Sequence, residues 1–101
     1  MEFAYIVRPA FDERFLDRAT EEQRAVFNQH GAWLEAQYAE GRVRFAGRCL
    51  DGELGLVVVD AADEDEAQRL MGQDPSIRAG VQRGELHPFA TFLARGLDRD
   101  E

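Results

Sequence analysis

Cysteine is almost absent from this chain. Cys49 stands alone, which excludes an internal disulfide and any metal site built from several cysteines. Histidine is nearly as scarce, with only His30 and His87, and two imidazoles scattered among acids without ligand spacing give no zinc signal. Positive charge is in deficit. Twelve Lys and Arg face twenty Asp and Glu, a formal charge of −8, and no basic run appears, so nucleic acid is not an expected partner. No apolar stretch approaches the roughly 20 residues needed to cross a bilayer, and the N-terminus lacks the basic-then-apolar layout of a signal peptide. The expectation is an acidic cytoplasmic protein with no membrane partner. Internal repeats, low-complexity segments and a glycine-rich nucleotide loop are also missing, so no cofactor is implied.

What is present suffices for one compact domain. At 101 residues and 45% hydrophobic, the chain can bury a single core. Phe3 to Val7 is β-branched and aromatic, ends at Arg8-Pro9, and reads as a strand. Thr20-Glu21-Glu22-Gln23 forms a capping box and predicts a helix from Glu21 to Glu40, with Gly41 as its left-handed stop. Phe27, Gly31, Leu34 and Tyr38 share one stripe of that helix. Val43 to Ala46 reads as a second strand, Asp51-Gly52 as a turn, and Leu54 to Val59 as a third strand. Asp63 with Glu66 opens a helix through Ala67, Leu70 and Met71 to about Gly72. Asp74-Pro75 starts another helical turn, in which aspartate caps and proline gives up an N–H that has no partner there. Gly80 ends it. His87 to Leu93 is the expected fourth strand, with Pro88 at its edge or beginning. Residues 1–95 form the domain, and 96–101 an acidic tail.

The order β-α-β-β-α-β predicts an α+β, ferredoxin-like sandwich with two helices on one face of a four-stranded antiparallel sheet. The strands are apolar on both faces: Phe3, Tyr5 and Val7 oppose Ala4 and Ile6, and Leu54, Leu56 and Val58 oppose Val57 and Val59. A sheet with one wet face alternates apolar with polar. Leaving the second face in water would forfeit several kcal/mol at roughly 25 cal/mol per Å². A homodimer packed sheet to sheet is the expected solution.

Candidate chemistry rests on few residues. His30 lies about 60° from Phe27 on the helical wheel, at the edge of the apolar stripe. Its plain reading is a half-buried imidazole with one satisfied nitrogen. Gly31 beside it leaves room for a ligand or a close strand, and an imidazole titrates near neutral pH. Asp74 is on its own an ordinary helix cap, but a carboxylate held by backbone N–H groups stays ionised and can orient an imidazole as a base. Arg8 and Arg48 are candidates to hold an anionic ligand, or to pair with nearby acids. His87 reads as a strand-entry residue. Cys49 has only Arg48 as a basic neighbour, which argues against a thiolate mechanism. Phe11 and Phe15 serve either as a lid or as core.

Taken together, Arg8-Pro9, His30 with Leu34, Gly41, Ala46-Gly47, Gly55, Ala67, Asp74-Pro75, Ala79-Gly80 and Pro88-Phe89 resemble, in this order, the YciI-like (YCII) family. The resemblance implies a dimer of the dimeric α+β barrel type and a histidine–aspartate site on His30 and Asp74. One member type is a dehydrochlorinase acting on a chlorinated hydroxyquinol. Two departures stand out. Arg48 occupies a position where proline is frequent, and Ser76 one where an aromatic or large apolar residue is usual, which makes the pocket more polar. Two functions follow as alternatives: an acid–base enzyme for elimination or isomerisation of a small, aromatic or cyclic acidic substrate, or a non-catalytic binding or accessory module.

Overall fold

The computed structural model describes residues 1–10 and 20–96. Its elements are β1 (Glu2–Pro9), α1 (Glu21–Ala39), β2 (Val43–Arg48), β3 (Gly55–Asp60), α2 (Glu64–Gly72), α3 (Pro75–Arg78) and β4 (Gln82–Phe89). The strands form one antiparallel sheet in the order β2-β3-β1-β4. This is the expected α+β, βαββαβ architecture, with α3 as a short addition. Phe11 and Phe15, and the tail beyond residue 96, lie outside the described residues.

The helix boundaries follow local chemistry. At the start of α1, Thr20 Oγ1 accepts from the Gln23 amide at 3.1 Å, while Gln23 Oε1 accepts from the Thr20 amide at 2.9 Å. This capping box leaves neither donor orphaned. Asp63 caps α2 by accepting from the Glu66 amide at 2.8 Å. Asp74 caps α3 ahead of Pro75. Gly41 and Gly80, at φ +83° and +73°, turn the chain out of α1 and α3 in a conformation that side chains with a Cβ resist.

The core lies between the helices and one face of the sheet. Phe3, Tyr5, Val7, Val57 and Val59 are buried there with Ala67, Leu70 and Met71, and Trp33, Leu34 and Ile77 pack against them. The opposite face carries Ala4, Ile6, Leu56, Val58 and Phe45, of which Phe45 is 41% exposed. Around this apolar centre run ion pairs: Arg44 with Glu2 and Asp60, Arg8 with Glu85, and His87 with Glu85.

Two expectations require correction. β4 spans Gln82–Phe89 and not His87–Leu93. The apolar run Phe89 to Leu93 favoured the later position, yet Phe92 and Leu93 are 77% and 74% exposed. β4 is an edge strand, and one paired side tolerates a largely polar sequence and Pro88. The stripe on α1 is also rotated. Tyr38 is 63% exposed while Gln37 is buried, so the inward line passes through Phe27, His30, Leu34 and Gln37. This places His30 near the middle of that line and not at its margin.

Candidate active site

Strand β1, helix α1 and the cap of α3 converge on one carboxylate. Asp74 is fully buried. Its Oδ1 receives His30 Nδ1 at 2.7 Å, the Ser76 amide at 2.9 Å and Ser76 Oγ at 2.9 Å. Its Oδ2 accepts from the Tyr5 hydroxyl at 2.8 Å. An ionised carboxylate can be buried only when its lone pairs are met in this way. Burial alone would raise its pKa. The hydrogen bond and charge of His30, followed by Tyr5 and the Ser76 amide, outweigh burial and hold the group below the usual carboxylate range. The Tyr5 hydroxyl is pushed far up by burial, then by the Asp74 charge and the bond to it, so it stays a neutral donor.

Because Asp74 only accepts, the imidazole nitrogen facing it carries the proton. His30 Nδ1–H is therefore the donor, and in the neutral tautomer the lone pair lies on Nε2. The ring is locked from two sides, by Asp74 and by the edge of Phe27, whose centroid lies 6.4 Å away at 90°. Its side chain is 15% exposed, and that exposed part lines a cavity of about 600 Å³ between the end of β1, α1 and the β2–β3 hairpin. Asp74 itself sits behind the histidine and does not line the cavity.

The walls are mainly apolar, from Val7, Phe27, Leu34 and Leu54, with Asn28, Arg48, Cys49 and Gln82 as polar contributions. A Cβ built on Gly31 or Gly47 would meet nothing within 4 Å, so both glycines open onto empty space. No neighbouring strand requires Gly31. Its role is the room it leaves beside His30.

The four residues singled out from sequence separate here. His30 and Asp74 are joined directly, and Arg48 lies on the cavity wall. Arg8 is on the other face of the sheet, 3.4 Å from Glu85 and in a shallow depression with Arg83. Period-2 alternation sends it outward with Ala4 and Ile6, away from the helices. His87 is also on that outer face, beside Glu85. Cys49 is exposed at the cavity wall. Sequence reasoning missed Tyr5 and Gln82, and marked Ser76 only as a polar departure in the pocket. A signal existed for the first, since a buried tyrosine needs a partner for its hydroxyl. Among the described residues, no cluster of three His, Cys, Asp or Glu could hold a metal ion, and no helix is long and apolar enough to cross a membrane.

Compared with known families, residues 1–90 match the model of the YCII-related domain. Among solved structures, the fold is similar to that of 5-chloro-2-hydroxyhydroquinone dehydrochlorinase (TftG) from Burkholderia phenoliruptrix AC1100, solved in complex with 2,5-dihydroxybenzoquinone. The TM-score is 0.65 at 20% identity, covering 89% of this chain and 94% of that one. At that identity the likeness is one of fold. No curated protein matches the sequence.

Proposed function

We propose that this chain, which belongs to the YCII-related domain family, acts as a general acid–base catalyst on a small cyclic or aromatic acidic compound. The observation that carries the reading is the 2.7 Å bond from His30 Nδ1 to a fully buried Asp74, in a histidine that also lines a cavity, so that the neutral ring would carry its lone pair on Nε2. A volume of about 600 Å³ falls within the usual range for small-ligand pockets, roughly 300–1,000 Å³. The similar solved dehydrochlorinase was crystallised with a single-ring compound, which supports the choice of substrate class.

The reaction class is elimination or isomerisation. His30 Nε2 takes a proton from the substrate. The electron pair released forms a new double bond and expels a leaving group such as halide, or shifts so that the proton returns at another atom. The imidazolium formed in this step is stabilised by the Asp74 carboxylate. Positioned proton transfer of this type contributes roughly 10²–10⁴ in rate. Arg48 has no ion-pair partner among the described residues, and it offsets the negative charge of the substrate.

A second copy of the chain is proposed to cover the outer sheet face, where Phe45 is exposed beside Ile6 and Leu56. The catalytic reading is tested with a panel of chlorinated hydroxyquinols and halogenated phenols, following chloride release. Wild type turns over at least one member, and His30→Gln loses at least about 10² in rate while still binding it. Full turnover by His30→Gln overturns the proposal. Binding without turnover by the wild type would assign the chain to the accessory-module alternative.

A further inference from the structure

Beside the His30–Asp74 pair, the cavity wall holds a polar group with no assigned role. Gln82 opens β4 in register with Pro9. Its backbone setting is fixed on both sides, because the Val81 amide donates to Ser76 O and the Ala10 amide to Val81 O, each at 3.0 Å. The side-chain amide of Gln82 lies 2.8 Å from Ser76 Oγ, with its oxygen as the near atom. The same Oγ lies 2.9 Å from Asp74 Oδ1. Ser76 is fully buried.

A hydroxyl has one proton, and two oxygens compete for it. The carboxylate is the stronger acceptor and takes it. An amide oxygen 2.8 Å from the remaining lone pairs would then be repelled. Half a turn of the amide removes the conflict: Nε2–H donates to Ser76 Oγ, and Ser76 donates to Asp74. Every proton then has one acceptor, and the oxygen/nitrogen choice of an amide is properly settled by its network. Turned this way, Oε1 of Gln82 is the outward atom. Gln82 lines the cavity, and among the described residues no buried polar side-chain atom lacks a partner and nothing else binds this amide.

We propose that Gln82 is a specificity-determining residue of the cavity, its carbonyl oxygen aimed inward by Ser76 to accept a hydrogen bond from a hydroxyl or N–H group of the ligand. The inference rests on the reading of this cavity as a ligand site. It adds a sign to the chemistry: His30 Nε2 and Gln82 Oε1 are both acceptors, so a ligand that fills the cavity supplies a donor to each. It also gives Ser76 a purpose, since one small hydroxyl serves the catalytic carboxylate and the specificity group together. A large apolar side chain at that position would leave the amide free to turn.

The first test needs no ligand. In ¹⁵N-labelled wild type, the Gln82 NH₂ protons show nuclear Overhauser contacts to the Ser76 β-protons and exchange slowly, and Ser76→Ala speeds their exchange. Fast exchange that Ser76→Ala leaves unchanged overturns the orientation. The second test measures binding of the three hydroxybenzoates and their methoxy counterparts by calorimetry. Wild type prefers at least one hydroxy form over its ether by about tenfold, the worth of one well-placed hydrogen bond. Gln82→Met and Ser76→Ala shrink that preference below about threefold. An unchanged preference in Gln82→Met overturns this inference and leaves the acid–base reading standing. Failure of all six compounds to bind wild type at millimolar concentration overturns both.

Discussion

Replacing Tyr5 with phenylalanine isolates one of the bonds that hold the buried Asp74 carboxylate. The ring is fully buried against the core and would keep its packing, so no cavity opens beyond one oxygen atom. What is lost is the 2.8 Å donor to Asp74 Oδ2, and nothing else described reaches that oxygen. Hydrogen bonds to charged groups contribute about 1.5–3 kcal/mol, and the buried acceptor left behind carries its own desolvation penalty. Tyr5→Phe should therefore destabilise the fold by about 2–3 kcal/mol at pH 7. For a domain of this size that lowers the melting midpoint by roughly 8–24 °C. The pH dependence has a definite sign. The folded state holds Asp74 below its ordinary value of 3.8, so the ionised carboxylate stabilises the fold above that value and the gain is lost as pH falls through the lower, folded value. Tyr5 is one cause of that lowering, so the gap between wild type and variant should narrow below about pH 3.8. Urea denaturation at pH 7 and at pH 3, at fixed protein concentration, measures both quantities. A difference under about 0.5 kcal/mol at pH 7, or one that does not change with pH, would refute the anchoring role.

Other expectations follow from the same geometry. Gly31→Leu should abolish ligand binding in calorimetry without unfolding the protein, because its side chain enters the open space beside His30, and leucine is favoured over glycine in a helix by roughly 0.5–1 kcal/mol. Gly55→Ala should cost about 1–3 kcal/mol in denaturation, since its Cβ would fall 2.9 Å from Val7 Cγ2 and 3.4 Å from Gly47 O, neither of which can easily yield. Phe45→Glu should convert the proposed dimer to a monomer in light scattering, and an unchanged mass would remove the outer sheet face as the interface.

Much of the fold could be read from the chain because local chemistry and long-range packing agree there. Thr20-Gln23, Asp63-Glu66 and Asp74-Pro75 are caps whose donors and acceptors lie within a few residues of each other, and all three stand where expected. The fourth strand departs from expectation because hydrophobicity reports burial and not pairing. Gln82 to Phe89 gains its backbone partners from β1, although its own side chains are mostly polar. The His30–Asp74 pair is signalled by two independent cues, an imidazole on a helix and an aspartate before proline. Their contact spans 44 positions and depends on how α1 rotates against the sheet. The same rotation separates the expected margin position of His30 from the observed one, because Tyr38 is exposed and Gln37 takes the inward place. Arg8 illustrates the limit of reading charge alone, since strand parity decides which side of the sheet a cation serves.

The most direct trial of the whole account is a long-range ¹H–¹⁵N correlation spectrum of the His30 ring, recorded with and without a cavity ligand such as 4-hydroxybenzoate. The account predicts a neutral imidazole protonated at Nδ1, with a bare Nε2 whose resonance moves when the ligand is added. A ring protonated at Nε2 while Nδ1 is bare, or an Nε2 signal indifferent to every compound that binds, would contradict it.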